Sequence, residues 1–210
     1  MHTQISLLVL AAASLTASIP AYAITPLEKI QADWAHCQYQ VTDSDEQERC
    51  FENVIAQNTV EVNISPNNAE LKVWLAINKS SLAGVRGGLG ALSLVKESKA
   101  LFEEVIKQAP QTLNGSAYTS LGTLYYKVPG WPLGFGDDDK AEEMLKKGLE
   151  INPNGIDSNY FYADFLAEQG KKAEAKQYLA RAQQAPARAN RPLADKGRQG
   201  EIARLLEKLK

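Results

Sequence analysis

The sequence predicts an all-α fold in which antiparallel helix pairs stack into a superhelical solenoid. Three observations lead to this prediction. Helix-like runs fill most of the chain, prolines close successive runs, and small residues recur at matching places within the later runs. No stretch alternates apolar and polar residues over a length that would form a strand. The mature chain is therefore expected to be helical throughout.

Four prolines follow helix-like runs and mark where helices end. They are separated by 44, 43 and 33 residues: Pro66, Pro110, Pro153 and Pro186. In the last two units, small residues allow the helices of a pair to approach closely, and leucines fill the seam: Gly122, Ala141, Leu145, Ala163, Ala175 and Leu179. These two units resemble the tetratricopeptide repeat, whose period is 34 residues. The unit that ends at Pro110 fits loosely, and the first unit fits poorly.

These patterns divide the chain into four parts. Residues 1–23 form a targeting segment, 24–66 an atypical helical cap, 67–186 the tetratricopeptide-like repeats, and 187–210 a linker and a C-terminal capping helix. That last helix is indicated by four apolar residues at helical spacing: Ile202, Leu205, Leu206 and Leu209. Terminal repeats need such caps because one of their faces has no neighbour.

Two stretches are longer than the repeat requires. Between Gly122 and Ala141 the chain adds VPGWPLGFGDDD, and the unit before it carries SSLAGVRGGLGALSLV at the equivalent place. Both are expected to be loops between the two helices of a pair, projecting from one edge of the solenoid. The glycine-rich part lacks the lysine and serine or threonine of a phosphate-binding loop, so a flexible connection is expected.

The N-terminus has the pattern of a cleaved signal peptide. LLVLAAASLTA is apolar, Pro20 follows it, and Ala21-Tyr22-Ala23 places small residues where a signal peptidase cuts. The predicted location is the periplasm. In an exported protein, Cys37 and Cys50 are expected to form a disulfide. A metal site is the alternative, but His36 is the one further ligand nearby.

Composition and motifs exclude several classes of function. A formal net charge of −2 argues against nucleic-acid binding, and no apolar run is long enough to span a membrane. No serine-hydrolase or zinc-protease motif is present, so we predict no enzymatic activity, no catalytic residues, no metal and no cofactor. The Asp137-Asp138-Asp139 run is expected to cap a helix.

Aromatic residues crowd into the segment between Tyr118 and Phe165. The first helix of each repeat lines the concave face, where binding usually occurs, and tyrosine combines apolar area with a polar tip. About two thirds of the aromatic residues are expected in the core. The predicted contact residues for a partner or ligand are Tyr118, Tyr126, Trp131, Leu133, Phe135, Asn159 and Tyr160.

The run from Leu121 to Arg198 contains GWPLGFGDDDKAEE, NPNG and NYFYADFL. It resembles exported bacterial proteins related to the tetratricopeptide component of certain tripartite solute transporters (TRAP type). The resemblance implies association with a periplasmic solute-binding protein. Two kinds of occupant stay open: another envelope protein, docked by the tyrosines and the 130–136 loop, or a small apolar solute over which that loop closes. Contact with a second copy of the chain is a further alternative.

Overall fold

The computed structural model describes residues 24–210. The predicted signal peptide, residues 1–23, lies outside them. Within the described residues the fold is all-α, as predicted, and contains no strand. The α-helices are α1 (Pro26–Tyr39), α2 (Ser44–Ile64), α3 (Ala69–Arg86), α4 (Gly88–Gln108), α5 (Ser116–Lys127), α6 (Asp138–Ile151), α7 (Ile156–Glu168), α8 (Lys172–Gln183) and α9 (Pro192–Lys208), with a 3₁₀ turn at Thr112–Gly115.

The helices pack as consecutive pairs, α1 with α2, α3 with α4, α5 with α6 and α7 with α8. Small residues hold the seams as predicted. A Cβ atom added to Gly122 of α5 would lie 2.7 Å from the Cγ atom of Leu145 on α6, so a larger residue there would force the pair apart. Asp137 caps α6 by accepting a hydrogen bond from the Lys140 backbone N–H at 3.1 Å.

Two groups of buried apolar residues form the core. One extends from α3 to α9 and includes Phe102, Leu145 and Phe165, all nearly inaccessible to solvent. The other joins α1, α2 and α3 around Trp34 and Trp74, and Ala194 of α9 belongs to it. The second group therefore contains residues from both ends of the described chain.

The expected loop in the second unit is absent. Helices α3 and α4 instead continue through most of SSLAGVRGGLGALSLV, and the chain reverses at Gly87. Gly87 and Gly88 have φ values of 62° and 58°, a left-handed conformation that glycine adopts without steric cost. Arg86, at the end of α3, pairs with Glu48 and Glu52 of α2. The extra residues extend α3 and α4 because their apolar side chains pack against neighbouring helices.

Cys37 and Cys50 are joined by a disulfide that links α1 to α2, with their Cα atoms 5.7 Å apart. The two residues are 13 positions apart in the sequence. Closing a loop of this size removes conformational freedom from the unfolded chain and is worth about 3 kcal/mol.

Reducing this disulfide is expected to lower the free energy of unfolding by about 3 kcal/mol. Urea unfolding with and without reductant measures the change. A variant with both cysteines replaced by serine is the control, because reductant should leave it unaffected. Equal free energies for the oxidised and reduced wild type would contradict the expectation.

The C-terminal helix reaches further than a terminal cap would. Besides α7 and α8, α9 packs against α1 at the other end of the array. Gly197 sits so close to the ring of Tyr39 that an added Cβ atom would overlap it. The helix array thus closes on itself, with α9 bridging the last repeat and the first helix.

No helix within residues 24–210 combines the length and the apolar composition that a bilayer crossing requires.

Candidate functional site

A cavity of about 1080 Å³ lies on the side of the solenoid that the odd-numbered helices face. Its walls come from α1, α3, α5, α7 and α9 and from the segment between α8 and α9. The first helix of each pair contributes most of the lining, as expected for the concave face of stacked helix pairs, and Gln47 of α2 and Phe102 of α4 add to it. Because α9 contacts α1, the cavity is bounded by both ends of the described chain.

Aromatic side chains form much of the cavity wall. Trp34 and Trp74 meet edge to face with their ring centroids 5.5 Å apart, and the Trp34 indole N–H donates to the Ser81 hydroxyl at 2.9 Å. The same cavity is lined by Tyr160 and Phe161 of α7, whose rings also meet edge to face, at 5.2 Å. These rings offer a ligand broad apolar faces.

A network of charged residues ties α9 to α7 at one side of the cavity. Asp157 of α7 accepts hydrogen bonds from Arg188 at 2.7 Å and from Arg198 at 2.9 Å. Arg188 also donates to Asp195 at 2.6 Å, and Arg198 pairs with Glu201. The Arg198 guanidinium lies over the rings of Tyr160 and Phe161, at 4.5 and 4.4 Å from their centroids.

Burial and charge oppose each other at Asp157. Burial by itself would raise the pKa of the Asp157 carboxyl, but the positive charges of Arg198, Arg188 and Arg191 outweigh it and hold the pKa well below its usual range. The Arg198 side chain is 8% exposed, and the carboxylates of Asp157 and Glu201 offset the cost of burying its charge.

Arg191 occupies a different environment from its two neighbours. Its guanidinium lies 4.8 Å from the ring centroid of Trp74 and 6.0 Å from that of Trp34. Its Nε atom is buried and has no hydrogen-bond partner among the described residues. Burial lowers the pKa of Arg191 to about 10, so the side chain stays positively charged at neutral pH.

The loop between α5 and α6 is held by backbone hydrogen bonds. The N–H groups of Leu133 and Gly134 both donate to the Gly130 carbonyl at 3.1 Å, and Gly136 N–H donates to Pro129 at 3.0 Å. The Asp137 N–H donates to the Tyr125 carbonyl at 2.9 Å. These bonds fix the course of the loop, which includes a cis bond between Trp131 and Pro132.

Comparison with known proteins identifies the architecture. The family model of the tetratricopeptide repeat matches residues 133–208. The crystal structure of a thermophilic TPR protein from Thermus thermophilus superposes with a TM-score of 0.52 and 18% sequence identity, covering 87% of this chain and 89% of that chain. The chain has a tetratricopeptide-repeat fold. No curated protein matches the sequence.

Three predicted contact residues lie on the loop inserted between the two helices of a tetratricopeptide repeat. Trp131 is 90% exposed and Leu133 is 68% exposed. Phe135 turns inward, and its ring meets that of Tyr125 edge to face at 5.8 Å. None of the three lines the concave cavity. The loop therefore does not close over that cavity, contrary to the solute-carrier hypothesis in its original form.

The other predicted contact residues are dispersed over the repeats. Tyr160 alone lines the concave cavity. Tyr118 borders a small depression beside Lys147 on another face. Tyr126 is partly buried and donates to Asp164 at 2.9 Å; burial, followed by the charge of Asp164, raises its pKa well above the usual range.

Asn159 is fully buried, which removes it from the accessible surface. Its side-chain N–H groups donate to the backbone carbonyls of Pro153 and Gly155, at 2.9 and 2.8 Å. Its amide N–H groups stabilise the turn between two tetratricopeptide helix pairs, and its Oδ1 atom is buried without a partner among the described residues. The prediction of Asn159 as a contact residue was wrong because the side chain is used inside this turn and has no accessible surface.

Most of the residues that line the cavity were not predicted. Trp34 comes from the first unit, which fits the repeat poorly, and Trp74 from the second, which fits it loosely. Arg188 and Arg191 come from the segment predicted as a linker. The sequence contains one feature that could have indicated the arginines. In ARANRP, Arg188 and Arg191 are the large side chains of a short connection that is flanked by prolines. Within residues 24–210, no group of His, Cys, Asp or Glu side chains is arranged to hold a metal ion.

Proposed function

We propose that this chain is a non-enzymatic periplasmic adaptor that docks another envelope protein, such as the solute-binding protein of a tripartite transporter. The observation that carries the proposal is the exposure of Trp131, at 90%, on a loop fixed by its own hydrogen bonds. Tetratricopeptide repeats generally act as protein-interaction modules, which supports a binding role. The signal sequence and the Cys37–Cys50 disulfide favour an oxidising compartment.

An exposed tryptophan on a rigid loop has the properties of an interface anchor. Tryptophan is enriched among the residues that dominate binding energy, because it fills a pocket on the partner. A loop already fixed in one conformation loses little conformational entropy on binding. Leu133 extends the apolar surface, and the exposed Asp138 and Asp139 follow it along the chain. The partner surface that fits is an apolar pocket with a basic rim.

The test places a photo-crosslinking residue at Trp131 in the full-length protein, expressed in its own envelope. The same residue at Gln177, an exposed position on α8, is the control. We expect one envelope protein to be captured from position 131 and not from position 177. Capture of the chain itself, or of nothing, would contradict the adaptor proposal.

The captured protein is then purified and its affinity measured by calorimetry. Replacing Trp131 with alanine should weaken binding by about 30-fold or more, as expected for a central anchor. The thermal unfolding midpoint should not change, because the side chain is exposed. A captured protein that binds the alanine variant as tightly as the wild type would show that Trp131 is not the anchor.

A second candidate function is favoured by the cavity. We propose that the concave cavity, rather than the loop, is where the chain would carry a small solute. Its volume of about 1080 Å³ and its aromatic walls are typical of ligand sites. Native mass spectrometry of protein purified from the periplasm tests this: a bound small molecule supports it, and a spectrum of unliganded protein alone counts against it.

A further inference from the structure

We infer that the concave cavity binds a small organic carboxylate with an apolar or aromatic body, and that Arg191 holds its carboxylate group. This inference rests on the second proposed function, that the cavity carries a small solute. It adds the chemical class of the ligand and assigns the residue that recognises its head group.

The unequal pairing of charges points to Arg191. The cluster contains three arginines, Arg188, Arg191 and Arg198, and three carboxylates, those of Asp157, Asp195 and Glu201. The formal charges of the cluster sum to zero, but the ion pairs are distributed unequally among the three arginines. Arg188 and Arg198 engage all three carboxylates. Arg191 forms no ion pair with a carboxylate of the described residues.

One donor of Arg191, the Nε–H group, is buried without an acceptor among the described residues, although the residue as a whole is half-buried. A buried donor without an acceptor forfeits its hydrogen bonds to water, and the penalty is greater for a charged group. Arg191 lines the cavity, and its Nε atom lacks a partner. The indole N–H of Trp74, on the ring over which Arg191 lies, is a second buried donor without a partner. Of the three arginines that line the cavity, Arg191 is thus the one without a carboxylate partner among the described residues, which favours an acidic group on the ligand.

A carboxylate fits the Arg191 guanidinium better than other head groups do. Arginine presents a planar set of N–H groups that matches the two oxygens of a carboxylate. An alcohol would supply one oxygen and no charge, and an ammonium group would be repelled. Stacking of the guanidinium on Trp74 restricts its motion, so it loses less freedom when it forms the pair.

The other residues that line the cavity indicate the chemistry of the rest of the ligand. The rings of Trp34, Tyr160 and Phe161 line the same cavity and offer apolar faces. Ser120 and Thr123 of α5 line it as well. A small molecule with an aromatic or aliphatic body fits between these walls. Helix α9, which bridges the last repeat and α1, bounds the cavity on one side, and the volume of about 1080 Å³ is close to that of sites for small molecules.

The experiment uses three probes that share one body and differ in head group: phenylbutyrate, phenylbutanol and phenylbutylamine. Each is titrated into the full mature protein by calorimetry. We expect phenylbutyrate to bind about tenfold more tightly than phenylbutanol, as expected for a hydrogen-bonded charged group, and phenylbutylamine to bind weakest. Equal binding of acid and alcohol would overturn the assignment of the head group while leaving the solute-carrier function intact. Absence of binding by all three would overturn both.

Variants then test the residue. Replacing Arg191 with glutamine should remove the preference for phenylbutyrate and leave phenylbutanol binding unchanged. The matched control is Arg181→Gln, since Arg181 also lies over an aromatic ring, that of Tyr178 at 4.9 Å, but does not line the cavity. An Arg191→Gln protein that retains the preference would contradict the role of Arg191. If this variant does not fold, Arg191→Lys is used instead, because lysine keeps the positive charge without the planar set of N–H groups. This variant should show a weaker preference for phenylbutyrate. An unchanged preference would contradict the role of Arg191.

Discussion

Replacing Asp157 with alanine is expected to lower the free energy of unfolding by about 3–5 kcal/mol, because it leaves a buried arginine without its main partner. Asp157 accepts hydrogen bonds from both Arg188 and Arg198. Arg198 is nearly inaccessible to solvent and keeps Glu201 alone after the change. Urea unfolding at neutral pH measures the loss. Asp139→Ala is the control: Asp139 is exposed in the first turn of α6, where a carboxylate is worth at most about 1 kcal/mol.

The same carboxylate should make stability depend on pH in a defined direction. The pKa of Asp157 is lowered in the folded protein, whereas in the unfolded chain it is about 3.9. Its contribution is therefore complete above pH 3.9 and is lost as the pH falls towards the folded pKa. The difference in stability between wild type and Asp157→Ala should be constant near neutrality and should shrink in acid. A difference that grows in acid would contradict the ion-pair account.

Replacing Trp74 with alanine is expected to cost about 3–5 kcal/mol, the range for removing a large aromatic side chain from a core. Trp74 is 3% exposed and packs against Trp34 in the group that joins α1, α2 and α3. Its removal leaves a cavity next to Arg191, because the backbone of the long helix α3 cannot shift far enough to fill the space.

The chain supplies a matched control for this prediction. Trp131→Ala removes the same atoms from a position that is 90% exposed, and should change stability by less than about 0.5 kcal/mol. Thermal or urea unfolding of both variants gives the comparison. Similar losses for the two would mean that Trp131 is buried in solution, which would also contradict the proposed docking role of the loop.

Much of the fold could be predicted from the sequence because its signals are local. The seam between Gly122 and Leu145 lies within one helix pair, and Asp137 caps the helix that begins at the next residue. The disulfide also joins adjacent helices. The local sequence pattern gave a wrong prediction around Gly87, where a glycine-rich stretch indicated a loop and the structure has two helices. Neighbouring apolar residues and the Arg86 ion pairs to α2 outweighed the low helix propensity of glycine there.

The cavity could not be predicted because its parts meet only in three dimensions. Asp157 and Arg198 are 41 residues apart, and no spacing rule connects them. Trp34 and Tyr160 share a wall although they lie in units whose sequences have little in common. The exposed residues of the 130–136 loop were identified because proline and glycine surround large apolar side chains there, which is unusual for a loop.

The contact between α9 and α1 has a consequence for how this repeat protein can change in evolution. An open solenoid gains or loses a repeat without disturbing the rest, because each repeat touches its neighbours alone. Here the distance that α9 must span is fixed by the number of helix pairs between Tyr39 and Gly197. Adding one pair would pull these residues apart and open the cavity. The closure therefore holds the array to a single length, and related chains that keep the cavity should keep the same number of repeats.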